Sequence, residues 1–401
     1  MIKIPSCCYS LFKYRRIAYH VIGISFVIVL LSCQERNSRL SGTFILEKSD
    51  EQLCFLLDER TKNDPSALFP YTDETGKEWL TFQNWGQNDI LFYDMDSGEL
   101  GFRIKPQYEG SNGVGSFHGY HIKSMDSIFL TTRPMPEIVM IDRNATVKRK
   151  FQYEKTTDNL LLMYFYSTSS TNHPIMIMEN KMYIMPMCNR WAEISPVCAT
   201  IDLTDYTVEA LPDFSYPSFP GADNKAKTAG IEIYVSRCYD GEKFIYAFYF
   251  DESVYIASPD HKTVHRKEIK SRYIDKVKLL DDYGNLTIED MCENPNYGNM
   301  LYDEYRDVYY RVAYPETKID RQIRGIGMEL MQYGRKNFSI IILDRKLNII
   351  GETMFPDYTY NSNIMFIRED GLYISSSHSM NPEFSDDELC FHRFDLVKEH
   401  D

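Results

Sequence analysis

The stretch ILFYDMDSGELGFRI, residues 90–104, decides how this chain folds. Ile90–Tyr93 is apolar and aromatic, Asp94–Gly98 is turn chemistry, and Gly101–Ile104 returns to strand composition. Aromatic and β-branched runs bounded by Asp, Asn, Gly and Pro are strands joined by tight turns. The phrase of an apolar strand ending in Asp recurs as Phe92-Tyr93-Asp94, Met140-Ile141-Asp142, Thr200-Ile201-Asp202, Ile342-Leu343-Asp344 and Arg393-Phe394-Asp395. Around these phrases the chain sorts into groups. Trp79–Phe82 joins the first stretch. Ser127–Thr131, Ile138–Ile141 and Val147–Phe151 form a second group, and Met182–Met187, Ala199–Leu203 and Val208–Leu211 a third. Phe244–Phe250, Val254–Ala257 and Thr263–Ile269 form a fourth; Val308–Ala313, Phe338–Leu343 and Asn348–Met354 a fifth; Gly371–Ser375 and Leu389–Phe394 a sixth.

Neighbouring phrases lie about 50 to 60 residues apart, except for one step well over twice that length, and such a period is the mark of propeller blades. The expected fold is therefore all-β, a β-propeller of six blades. Thr43–Leu46 and Leu53–Leu57 are expected to complete the last blade, because closing the ring removes exposed sheet edges. A large β-sandwich or a two-domain β protein is the competing arrangement.

The N-terminus reads as an export signal. Lys3, Lys13, Arg15 and Arg16 precede the apolar run Val21–Leu31, and the first 32 residues hold no acid. The run is too short for a comfortable membrane span, which needs about 20 apolar residues. It ends in Leu30-Leu31-Ser32-Cys33, which resembles the lipobox of bacterial lipoproteins. Residues 1–32 are thus expected to be a leader, 33–41 a linker from lipidated Cys33, and 42–401 the propeller, with the membrane reached through the N-terminal lipid.

The chain carries a net charge of −14, and removing the four leader cations leaves −18. Phosphate backbones repel such a surface, which argues against nucleic acid as a partner. With 43% hydrophobic and 14% aromatic residues there is ample core material, which excludes a disordered chain. Cys54, Cys188, Cys198, Cys238, Cys292 and Cys390 form no CxxC pair, so a zinc ribbon is not expected. An oxidising envelope permits disulfides. Cys188 and Cys198 are the first pair to consider, with buried free thiols as the alternative.

Four segments break the strand rhythm: the polar Ser167–Asn180, the Pro- and Gly-rich Pro212–Gly230, Ser271–Asn299 with helix-compatible Ser271–Leu280 and Thr287–Asn294, and Pro315–Lys336 with Arg321, Arg324, Arg335 and Lys336. Long insertions in a compact domain are often functional. The lipobox, the Asp-turn strands, the loop Glu109–Gly115, the run Tyr302–Arg311 and the ending Glu369–Ser375 together resemble a family of uncharacterised six-bladed β-propeller lipoproteins of Gram-negative gut-type bacteria, classed as a domain of unknown function. That resemblance implies fold and location, and supplies no activity.

No HExxH, GxSxG or P-loop pattern is present. Gly110, Gly113 and Gly115 suit a connecting loop. Asp94, Asp96 and Gly98 suit a hairpin turn rather than a calcium loop, which needs about six oxygen ligands or more. His118 with His121, and His261 with His265, lack a third metal ligand, so neither metal nor cofactor is expected. Asp386, Asp387 and Glu388 offer paired carboxylates, or simply a solvated turn. The recurring cations are more informative. Arg133, Arg190, Arg311 and His378 sit in or just after the strand read as first in its repeat, where rotation would gather them at one channel mouth. Trp85 holds that place in the first group and Tyr246 in the fourth. Guanidinium forks suit carboxylate, sulfate or phosphate, and Trp85, Trp191 and Tyr246 would stack on a sugar. The competing role for these arginines is pairing with acids between blades. The expectation is a lipid-anchored envelope binding or scaffold protein of the outer membrane, its ligand an anionic glycan or a peptide at the channel, or its partner an envelope protein. The alternative is a propeller lyase or hydrolase on an anionic polysaccharide, with His378 or His118 moving the proton.

Overall fold

Apolar runs separated by Asp-bearing turns fold here as antiparallel meanders. The computed structural model describes residues 43–65, 67–133, 135–162, 169–189, 194–216, 234–277 and 287–399. The chain divides into two units, 1–41 and 42–401. The leader and Cys33 fall in the first and lie outside the described residues.

Strand β1 is Phe44–Leu56. Five four-stranded meanders follow it. Blade 1 is β2 (Leu68–Thr72), β3 (Glu78–Asn84), β4 (Asp89–Asp94) and β5 (Leu100–Ile104). Blade 2 is β6 (Ser116–Ser124), β7 (Ser127–Arg133), β8 (Glu137–Ile141) and β9 (Val147–Gln152). Blade 3 is β10 (Met176–Met178), β11 (Lys181–Ile184), β12 (Ala199–Asp202) and β13 (Val208–Ala210). Blade 4 is β14 (Val235–Tyr239), β15 (Phe244–Phe248), β16 (Ser253–Ala257) and β17 (Val264–Glu268). Blade 5 is β18 (Asn296–Asp303), β19 (Val308–Tyr314), β20 (Ser339–Leu343) and β21 (Ile349–Met354). The last set, β22 (Asn361–Arg368), β23 (Gly371–Ser375) and β24 (Glu388–Lys398), takes β1 as its fourth strand.

That makes six blades. β1 runs antiparallel to β24 from Phe44↔Lys398 to Leu56↔Glu388, with a bulge between Lys48 and Gln52. The two N-terminal strands expected from sequence are this one bulged strand. A single parallel pair, Phe44↔Gly351, joins blades 5 and 6 into one eight-stranded hydrogen-bonded sheet. A Cβ on Gly351 would lie 1.8 Å from the Phe44 carbonyl oxygen, so only glycine permits that contact. Cys54 and Cys390 face each other across β1 and β24 and form a disulfide. The pair considered from sequence is corrected: Cys188 and Cys198 stand as thiols, and the Cys198 Sγ instead lies 3.6 Å from Nη1 of Arg237.

The recurring Asp has a defined job. Asp142 Oδ1 accepts from the amides of Asn144 and Thr146 at 2.9 Å each, and Asp344 Oδ1 from those of Lys346 and Asn348 at 2.9 and 2.8 Å. These turns join the third and fourth strands, Ser258 taking the place of the Asp in blade 4, and a left-handed residue closes each: Gly98, Ala145, Tyr206, His261 or Leu347. Asp94 likewise caps amides in its turn. Asp395 is the exception, lying within β24 opposite Glu47.

The core lies between blades. Trp79 and Phe92 meet Tyr120 and Leu130; Phe129 and Phe151 meet Met182 and Ile201; Phe55 and Phe391 meet Leu80 and Tyr93. These contacts and the ring closure all lie within 44–398, so the propeller is a self-contained folding unit. Turns within the first and third hairpins are short and share one end of the propeller, here called the turn face. Second-to-third-strand loops and blade-to-blade connections share the other, the loop face. Helices α1 (Ile288–Glu293) and α2 (Ile326–Tyr333) belong to loop-face insertions of blade 5. Thr287 caps α1 in a capping box with Asp290. Of the other stretch expected to be helical, the described part, 271–277, is turn and bend.

Candidate functional site: a channel closed at one end

The innermost strands β2, β6, β10, β14, β18 and β22 surround the propeller axis, with β18 against β14 and β22, and β22 against β2. The polar break after blade 2 crosses this space. Ser169 bridges to Gly119 of β6. Thr171 Oγ1 donates to the Leu68 carbonyl at 3.2 Å. The Asn172 carbonyl accepts from the Arg237 amide at 2.6 Å and from Ser236 Oγ at 3.0 Å. Its side-chain amide donates to Tyr249 Oη at 3.0 Å, which donates to Asn299 Oδ1 at 2.7 Å. Arg237 also reaches the Pro174 carbonyl. Segment 169–174 thus ties blades 1, 2, 4 and 5 together and plugs the channel near the loop face. Gly119 permits it: a Cβ there would lie 2.1 Å from the Ser169 carbonyl oxygen, and φ is +123°.

Beyond the plug the channel widens into a cup of about 400 Å³ opening on the turn face. Thr171 and Pro174 lie at its floor, and Pro70, Leu301, Phe366 and Ile367 are in its wall. Glu78, Glu304, Tyr305 and Arg368 form the rim. Arg368 is paired with Glu78 at 2.5 Å.

The residues singled out in sequence go to different places. Arg133 ends β7 on the loop face, with Nη1 3.5 Å from His118 Nδ1, and Trp85 meets the His118 ring edge-on at 4.1 Å. Burial and the nearby Arg133 push His118 down to about 4, so it is neutral at pH 7. Arg190 and Trp191 lie outside the described residues.

The expected convergence of Arg311, Tyr246 and His378 on the channel is corrected. Arg311 is fully buried in the middle of β19. Its guanidinium donates to the backbone carbonyls of Glu252 (3.0 Å), Ile269 (2.8 Å) and Asp251 (2.6 Å), and stacks 3.7 Å from the Tyr297 ring centroid. It staples blade 4 to blade 5. Tyr246 is buried between blades 3 and 4 and donates to His261 Nε2 at 2.6 Å. His378 is buried beneath the end of α2: Nε2 lies 3.1 Å from the Gly334 carbonyl and Nδ1 accepts from the Met380 amide at 3.1 Å. The basic patch of the 315–336 insertion is also engaged: Arg321 pairs with Asp290 and Glu293, and Arg335 reaches the Met291 carbonyl at 2.5 Å.

The physical reason is a shift of one strand. The strand read as first in each repeat is the second. Its two faces pack on neighbouring blades, so a mid-strand side chain enters an interblade core and not the channel. The true innermost strands escape pattern reading. β2 carries Pro70, which is tolerated because that strand edge needs no ladder partner toward the channel. β6, β18 and β22 are bulged, and β10 has three residues. The one sequence signal for the plug was the polar break at Ser167–Asn180.

Six blades around a channel blocked from one side define a β-propeller with a blind axial cup. More narrowly, the chain belongs to the DUF4221 family, a domain of unknown function, whose profile matches residues 43–354. It is similar to a crystal structure of a DUF4221 member from Bacteroides vulgatus ATCC 8482, at 24% identity and a TM-score of 0.76, covering 89% of this chain and 99% of that one. It also resembles a Bacteroides fragilis NCTC 9343 protein described as exported, at 10% identity and a TM-score of 0.51, covering 88% of this chain and 96% of that one. Both likenesses concern the fold. A comparison with curated proteins returns no match.

Proposed function

We propose that this protein is a lipid-anchored binding protein of the bacterial envelope that holds a ligand in its blind channel. The plug carries this reading. Segment 169–174 closes one end of the channel and leaves about 400 Å³ open at the other, within the size range of ligand sites. Export is supported by the leader composition and by a disulfide, which persists in oxidising compartments. Lipidation at Cys33 would leave residues 34–43 as a tether reaching about 35 Å at full extension. That tether joins β1 at Phe44, beside Lys398 and on the turn face, where the cup opens.

Two measurements test the two halves. Expressed in a Gram-negative host, the chain should take up labelled palmitate and Cys33→Ala should not; label persisting in the variant rejects the anchor. A glycan, peptide and metabolite screen on residues 34–401 should return ligands whose binding falls at least tenfold in Ile367→Trp, which narrows the cup. Ligands that bind the variant equally well reject the channel as the site.

A further inference from the structure

Beside the cup lies a second cavity of about 230 Å³ that shares Phe69, Pro70, Tyr71 and Pro174 with it. Its wall is mostly apolar, including Ile122, Ile175 and Met176. Besides the Tyr71 hydroxyl, three further residues bring polar groups, and two of these are already engaged. Tyr120 donates to Thr81 Oγ1 at 2.7 Å, and Thr81 donates to the Phe69 carbonyl at 2.9 Å. The third is His121, projecting from β6. Burial pushes its imidazole down to about 4, so the ring is neutral at pH 7. A neutral imidazole has one N–H and one bare nitrogen. The bare nitrogen of such a ring can accept a hydrogen bond from a ligand in the cavity that His121 lines.

Charge narrows the ligand further. Among the described residues no cation lines the second cavity, and the one that lines the cup, Arg368, is held by Glu78 at the rim, where Glu304 adds a second acid. An anion entering here would lose water without gaining a counter-charge. We propose that the channel takes a neutral, largely apolar ligand that reaches the cavity beside the cup and donates one hydrogen bond there, from an N–H or O–H, to His121. This rests on the channel being the binding site, and it departs from the anionic ligand expected from sequence.

The test uses residues 34–401 and three probes: indole, N-methylindole and indole-3-carboxylate. Affinities are read by calorimetry and by amide shifts of the channel strands. Indole should bind about tenfold more tightly than N-methylindole, the size of one buried hydrogen bond. His121→Leu should erase that ratio by weakening indole alone, and the carboxylate should bind worst. Equal affinity for indole and N-methylindole in the unaltered protein overturns the His121 assignment while leaving the channel reading standing. So does an equal loss of both in His121→Leu. Tightest binding of the carboxylate overturns the neutral-ligand claim. Absence of any binding, with no channel amide moving, overturns the channel reading itself.

Discussion

His261 shows how a single side chain makes this fold sensitive to pH. It takes the left-handed place in the last turn of blade 4, at φ 55°, and its ring is fully buried. The Pro259 carbonyl, 3.2 Å from Nδ1, can only accept, so Nδ1 carries the proton and Nε2 accepts from Tyr246. A second proton would break that bond inside an apolar cluster, and burial holds the group down to about 4. In the unfolded chain it titrates near the usual 6.5, so between those values the unfolded state binds more protons and stability falls as pH drops. His261 alone should cost about 2 kcal/mol between pH 7 and pH 5. Burial shifts His121 and His173 the same way, which steepens the loss. Urea unfolding at the two pH values should show it, and His261→Gln should flatten the curve; equal midpoints at both pH values would refute this account.

At the scale of elements, the plug and the innermost strands depend on each other. Segment 169–174 has no periodic structure of its own and is held by bonds to β2, β6 and β14. Gly119→Val would place a side chain on the Ser169 backbone in a left-handed conformation, costing about 1–3 kcal/mol. The blades, whose cores do not use that residue, should survive with unchanged circular dichroism. Hydrogen exchange at the Arg237 amide, which donates to Asn172, should accelerate at least tenfold. Unchanged protection there would mean the plug is not seated through Gly119.

For the whole molecule, the critical event is ring closure. β1 must find β24 across most of the chain, and the Cys54–Cys390 disulfide fixes that meeting over a separation of 336 residues. A crosslink closing so long a loop removes much chain entropy from the unfolded state, and Cys390→Ser should lower stability by about 2–4 kcal/mol. Limited proteolysis of the variant should cut first in β1, which one ladder ties to β24 and only the Phe44↔Gly351 pair and the Leu46 amide on Thr353 Oγ1 tie to β21. If reduction leaves both the unfolding midpoint and the β1 cleavage rate unchanged, the disulfide does not hold the ring closed.

The strands β3–β5 and their counterparts were legible because their signals are local: apolar alternation, then an Asp whose carboxylate caps the next few amides. Repetition of that unit sufficed for the propeller, for the blade number and for β1 as the missing strand. The innermost strands were not legible. Pro70 and the bulges of β6, β18 and β22 break the pattern that marks a strand, and those residues are ordered by neighbouring blades. The same non-locality explains the site. Which way Arg311 points, that Ser169 meets Gly119, that His121 borders a cavity, and that Cys54 pairs with Cys390 each depend on residues distant in sequence. Such contacts exist only once six blades have closed around a common axis.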